Sequence, residues 1–168
     1  MNKDGPFIRV VERPARKLIL KWSTSAEDYF SYAEELGCGE TNISSPWDIL
    51  RYIKCRLDEP VGLWIPQNLR PEGTGSYAHG VEVPADYSTQ VPEGFVILDL
   101  APCTYLLFQG EPYEEEDFML AIATCRERID AFNPEELGYR YTPELAPHIQ
   151  FAPEGSRGYM EMLPVQKL

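Results

Sequence analysis

Positive charge is scarce in this chain: 15 Lys and Arg stand against 27 Asp and Glu, a formal net charge of -12. Neutralisation of phosphates by Lys and Arg is the main source of nucleic-acid affinity, so the sequence predicts no direct nucleic-acid binding. Histidine is scarcer still, with only His79 and His148, and the four cysteines, Cys38, Cys55, Cys103 and Cys125, show no CxxC spacing. A zinc site therefore lacks its ligands, and neither metal nor cofactor is expected. Three of the cysteines fall in apolar periodic segments, as buried free thiols do, which predicts a reducing cytoplasm and no structural disulfides. No run of about 18 uncharged apolar residues occurs and no apolar segment follows Met1, so neither a membrane span nor a secretory signal is expected. Also missing are a GxSxG nucleophile elbow and a glycine-rich phosphate loop.

What is present is an ordinary globular composition, 43% hydrophobic and 25% charged over 168 residues, which predicts one soluble domain across 1–168. Ile8 to Val11 and Arg16 to Trp22 read as strands around Glu12-Arg13-Pro14. Tyr29, Tyr32, Ala33 and Leu36 recur at helical spacing, with Gly37 and Gly39 as stops. Ser44-Ser45-Pro46-Trp47-Asp48 is a helix start, a hydroxyl cap before Pro at the first position, and its apolar stripe runs through Leu50, Ile53 and Leu57 to the stop at Pro60. Gly62 to Ile65 and Tyr77 to Val83 close the first half as strands. Phe95 to Leu100 and Pro102 to Gln109 are again strands, Glu114 to Asn133 is the clearest helix, and Tyr139 to Tyr141, His148 to Phe151 and Tyr159 to Leu163 are the closing strands.

The second half repeats the first. Pro14-Ala15-Arg16-Lys17-Leu18-Ile19-Leu20 parallels Pro102-Cys103-Thr104-Tyr105-Leu106-Leu107-Phe108, and Pro71-Glu72-Gly73 with its following strand parallels Pro153-Glu154-Gly155 with its own. The predicted fold is α+β: two βαββ halves, about 6–92 and 93–168, related by a pseudo-two-fold, with antiparallel sheets, helices on one side and a ligand cleft at the junction.

Taken together, Pro71-Glu72-Gly73, Tyr77 to Pro84 with its Gly80-Val81-Glu82-Val83-Pro84, Phe108-Gln109-Gly110-Glu111-Pro112-Tyr113, and Arg157-Gly158-Tyr159 to Pro164 resemble the GyrI-like domain. This is also called the Rob-type or AraC-type effector-binding domain, and the likeness runs from about Phe7 to Lys167. The resemblance implies an SHS2-type fold and a small-molecule ligand, often lipophilic and cationic. It implies a role as the sensor that accompanies a DNA-binding helix-turn-helix segment in transcription regulators, a segment not expected here. Some free-standing members of the family are similar to hydrolases that open strained rings in natural products. Many members carry a cation-meeting glutamate in the strand that His148-Ile149-Gln150-Phe151 occupies; Gln150 stands there instead and offers hydrogen bonds without charge.

The candidate ligand-binding residues are Trp47, Trp64, Tyr77, Tyr105, Phe108, Tyr141 and Tyr159 as aromatic walls, Gln150 as a polar contact, and Glu82 or Glu161 as a charge. Each glutamate is flanked by apolar residues in a strand, so each faces either solvent or a polar cleft. Three functions stay open: a small-molecule effector-binding domain, a hydrolase using Glu82 or Glu161 as base, and an inhibitory module whose acidic surface meets a basic protein partner.

Overall fold

The computed structural model describes residues 7–37 and 45–168. The elements, in chain order, are β1 (Phe7–Arg13), β2 (Arg16–Lys21), α1 (Tyr29–Leu36), α2 (Pro46–Leu50), β3 (Val61–Trp64) and β4 (Tyr77–Pro84). They continue as β5 (Val96–Leu100), β6 (Cys103–Gln109), α3 (Phe118–Ala131), β7 (Tyr139–Tyr141), β8 (His148–Gln150) and β9 (Met160–Lys167).

The strands form one antiparallel sheet in the order β1-β6-β9-β8-β3-β4-β2-β5, with β7 added alongside β9. This order reads the same from either end once β1 is exchanged with β5, β2 with β6, β3 with β8 and β4 with β9. The pseudo-two-fold predicted from the repeat is therefore present, its axis passing between β3 and β8. The two sheets expected from the sequence are fused into one across that pair, where Gly62 faces Gln150 and Trp64 faces His148. Each half also lends its first strand to the other: β1 pairs with β6, and β5 with β2.

This exchange dictates the shape. Only Pro14 and Ala15 separate β1 from β2, and only Ala101 and Pro102 separate β5 from β6, although each link joins opposite ends of the strand order. Links that short are possible only where the sheet curls until its ends approach. The inner face then closes on itself and buries Leu18, Leu20, Leu63, Tyr105, Leu107 and Ile149 in one cluster. The alternate residues face the helices, Leu106 and Phe108 against Cys125 and Ile129 of α3, and Ile19, Val81 and Val83 against Leu50 of α2.

Local chemistry sets the helix ends. Asp28 caps α1 through a reciprocal box with Ser31, and Gly37 closes it at φ 87, a conformation that favours glycine. Ser45 caps α2, with Pro46 as its first residue. The expected stop Gly39, and Ser44 at the start of the second helix motif, lie outside the described residues. The second helix is shorter than its apolar stripe suggests. Cys55 takes φ 63, the Leu57 amide donates to the Glu82 carbonyl of β4 at 2.9 Å, and Leu57 is exposed, so the chain tracks the sheet instead of continuing the helix. The acids of Glu115 to Asp117 fall in a 3-10 turn ahead of α3. Cys55, Cys103 and Cys125 are free thiols, of which Cys55 is exposed rather than buried, and Cys38 lies outside the described residues. Among the described residues no helix is long and apolar enough to cross a membrane.

Candidate ligand-binding site

Above the β3–β8 junction, on the helix side of the sheet, lies a cavity of about 690 Å3. The first half contributes α1 and α2, which pack on β4, and the second contributes α3, which packs on β6, so the cavity is the space the two-fold leaves between the helices. Trp47 from α2, Trp64 from β3, Tyr77 and His79 from β4, and Tyr159 and Gln150 from the second half form much of its wall. Phe30 of α1 and Met119 of α3 sit at the mouth and are 61% and 51% exposed. Apolar side chains left in water around an aromatic cavity are a mark of a binding surface.

Gly62 is required at the floor. A Cβ there would stand 2.2 Å from the Tyr77 hydroxyl and 2.9 Å from Gln150 Oε1, so only glycine lets these groups cross the strand. They cross it to form a directional chain. The Tyr77 hydroxyl donates to Gln150 Oε1 at 2.8 Å, Gln150 Nε2 donates to the Tyr159 hydroxyl at 3.0 Å, and Tyr159 donates to Glu161 Oε2. Burial raises the pKa of both tyrosines, with the neighbouring Glu161 charge adding to the effect at Tyr159, so both remain protonated donors.

Glu161 ends the chain with its side chain 1% exposed. Its Oε1 lies 2.5 Å from His148 Nε2, and its Oε2 accepts from Arg126 Nε at 2.9 Å as well as from Tyr159. Burial pushes the carboxyl up, but the His148, Tyr159 and Arg126 contacts more than offset this and hold it below the ordinary carboxylate value. Burial likewise opposes the charge of Arg126, and Glu161 restores it, so the pair is ionised. The guanidinium rests 5.4 Å from the centre of the Trp64 ring. Beyond Arg126 and Trp64, which border both spaces, lies a recess of about 380 Å3 lined also by His148, Glu161 and Leu163.

His79, across the cavity, contrasts with this. Its ring lies among Tyr32 at 4.5 Å, Trp47 at 5.0 Å, Tyr77 at 5.6 Å and Tyr29 at 5.8 Å, centre to centre. It is 1% exposed, and neither ring nitrogen has a hydrogen-bond partner among the described residues. Burial lowers its pKa to about 3, so the imidazole is neutral at physiological pH.

Of the residues singled out from the sequence, Trp47, Trp64, Tyr77, Gln150 and Tyr159 line the cavity, and Glu161 lines the adjoining recess. The others lie elsewhere. Glu82 is on the inner face of the curled sheet, paired with Arg13 and, at 3.0 Å, with Arg16. Tyr105 is beside it, its hydroxyl accepting from Arg16 and donating to the Pro147 carbonyl. Phe108 is packed edge-on against Phe132 beneath α3, and Tyr141 joins the same cluster. Sequence reasoning did not name Arg126, His79 as a wall residue, or the rim residues Phe30 and Met119. Arg126 lies on an amphipathic helix, where an arginine reads as solvated, and its partner Glu161 is 35 residues further along.

No sequence-family profile and no curated protein sequence matches the chain. Solved structures do. SAV2435 bound to tetraphenylphosphonium superposes with a TM-score of 0.56 at 14% identity, covering 95% of this chain and 94% of that one. A Staphylococcus aureus MU50 protein provisionally assigned to bacterial transcription regulation gives 0.56 at 14% identity, covering 96% and 99%. The C-terminal domain of EcmrR gives 0.53 at 12% identity, covering 97% and 99%. Such identities establish a common fold, and the resemblance to the GyrI-like effector-binding domain is borne out at that level.

Proposed function

We propose that this chain is an effector-type binding domain that takes up a lipophilic aromatic small molecule in the cavity between its two halves. The observation that carries the reading is the cavity: a space of about 690 Å3 walled by tryptophan and tyrosine, open at a rim of exposed apolar side chains. That volume suits a compound of two to four rings, and flat rings stack well on Trp47, Trp64 and Tyr77. Tetraphenylphosphonium bound to SAV2435, a structure of the same fold, supports the reading from outside this chain. Occupancy would join α1 and α2 of one half to α3 of the other, so a ligand that prefers one spacing of the helices shifts the protein toward it. That is how such a domain would signal to a DNA-binding partner.

Calorimetric titration with a panel of two- to four-ring aromatic compounds, tetraphenylphosphonium included, tests this. Saturable binding of at least one compound is expected, and Trp64→Ala should weaken it by roughly tenfold or more through loss of ring contact. Absence of saturable binding across the panel, or binding indifferent to Trp64→Ala, contradicts the reading.

A further inference from the structure

Among the described residues, the charged side chains that border the cavity are Asp28, Glu115 and Arg126. Asp28 caps α1, its Oδ1 accepting from the Ser31 amide at 2.8 Å and from the Ser31 hydroxyl at 2.7 Å, and its charge is also felt by Arg126. Glu115 belongs to the exposed turn ahead of α3, at the mouth. Arg126 is the one cation of the three, and it has an open donor. Its Nε is held by Glu161 at 2.9 Å and its Nη2 lies 3.5 Å from the Tyr159 hydroxyl, while Nη1 has no hydrogen-bond partner among the described residues. The side chain is 44% exposed, and the exposed part faces the cavity and the recess that it borders.

Glu161 is the mirror of this. Both of its oxygens are taken by donors of this chain, and its side chain is 1% exposed. A cation entering the cavity meets a carboxylate already neutralised, and reaching it means displacing a guanidinium that sits on Trp64 and is ion-paired. An acceptor entering the cavity meets a positive group held by Glu161 and Tyr159, with a free N–H edge. Guanidinium and carboxylate are matched in geometry, and charge-assisted pairs of this kind are about twice as strong as neutral hydrogen bonds.

We propose that Arg126 is the polar anchor of the cavity and that its ligand class is the aromatic carboxylic acid, rings against Trp64 and Tyr77, carboxylate on the free edge of the guanidinium. This rests on the cavity being a ligand site. The polarity is opposite to that of tetraphenylphosphonium, and it belongs to this chain's own arrangement, in which an internal arginine holds the place a ligand cation would need. The net charge of -12 opposes the approach of an anion at long range, but salt screens that field beyond about 8 Å at physiological ionic strength, and contact with Arg126 lies within it.

The test uses two probes with one ring system: naphthoate, and naphthylmethyl-trimethylammonium, each titrated calorimetrically into the full chain at neutral pH. The wild type should bind naphthoate roughly tenfold or more tightly than the ammonium probe. Arg126→Met removes the anchor and uncovers Glu161, so naphthoate should weaken by a similar factor while the ammonium probe tightens, and the order of preference inverts. Glu161→Gln frees the guanidinium and carries the test where Arg126→Met does not fold: naphthoate preference should be kept or enlarged. Equal affinity for both probes in the wild type, or a preference for the ammonium, overturns the anchor while leaving the cavity reading intact. No binding of either probe overturns the anchor, and the cavity reading falls with it only where the whole aromatic panel, tetraphenylphosphonium included, also fails to bind.

Discussion

Two glutamates of the same apparent kind ended in opposite settings. Glu82 in β4 and Glu161 in β9 occupy exchangeable strands of the two halves, each is flanked by apolar residues, and they are 4% and 1% exposed. Glu82 alternates with Val81 and Val83, which face α2, and so points to the inner face of the curled sheet, where Arg13 and Arg16 neutralise it at the seam between the sheet's ends. Glu161 alternates with Met160 and Met162, which fill that inner face, and so points to the helix side beside the cavity. Parity along a strand thus separates a structural ion cluster from a site-bordering one. Partner exposure separates them further. Arg16 is sealed with its side chain 0% exposed, whereas the Arg126 side chain is 44% exposed and can turn outward.

That contrast predicts unequal losses. Glu82→Ala strands a buried Arg16 charge, and removing one partner of a buried pair costs about 3–5 kcal/mol, enough to see as a large fall in the denaturation midpoint. Glu161→Ala should cost less, about 1–2 kcal/mol, because Arg126 regains water. Equal losses in urea denaturation would break the distinction.

His79 sharpens it through pH. The unfolded imidazole takes up a proton near 6.5 and the folded one only near 3, so between those values the unfolded state binds more protons and stability falls as pH falls. The slope is about 1.4 kcal/mol per pH unit, with no contribution above 6.5. Glu161, held low, adds a loss only as pH drops below its unfolded value near 4.5. His79→Phe should therefore remove most of the acid sensitivity between pH 6.5 and 4.5, measured as denaturation free energy against pH; an unchanged slope would contradict the buried neutral imidazole.

The smallest effect is expected at Gln150. Replacing it by Leu breaks the Tyr77–Gln150–Tyr159 chain, but both hydroxyls border a cavity that admits water, so the loss should be about 1 kcal/mol. A loss as large as that of Glu82→Ala would place Gln150 in the structural core instead.

Much of the fold was legible because it rests on local signals. Pro14 and Pro102 mark the two strand exchanges, the apolar face of α3 is periodic, and Pro71-Glu72-Gly73 and Pro153-Glu154-Gly155 mark the loops before β4 and β9. The fusion into one sheet was not legible, since the β3–β8 pairing joins residues 84 to 88 positions apart and leaves no local trace. The early end of α2 depends on a bond from Leu57 to Glu82 of β4, which lies outside the helix's own segment and also leaves no local trace. At the site, Trp64, Tyr77 and Tyr159 could be placed near the junction from their strands alone. The orientation of the glutamates could not, because a single-residue shift in register reverses every side chain. Tyr105 and Phe108 show the same limit on opposite faces of β6, one in the inner core and the other under α3.

The most direct test of the account uses the three tryptophans as reporters. Trp47 and Trp64 border the cavity, while Trp22 packs against the inner core. Their indole N–H resonances, assigned by substitution, would be followed by NMR as the aromatic compound that binds best is titrated in. The account predicts saturable shifts at Trp47 and Trp64 with a common affinity and a still Trp22. A shift centred on Trp22, or binding that moves none of the three, would contradict it.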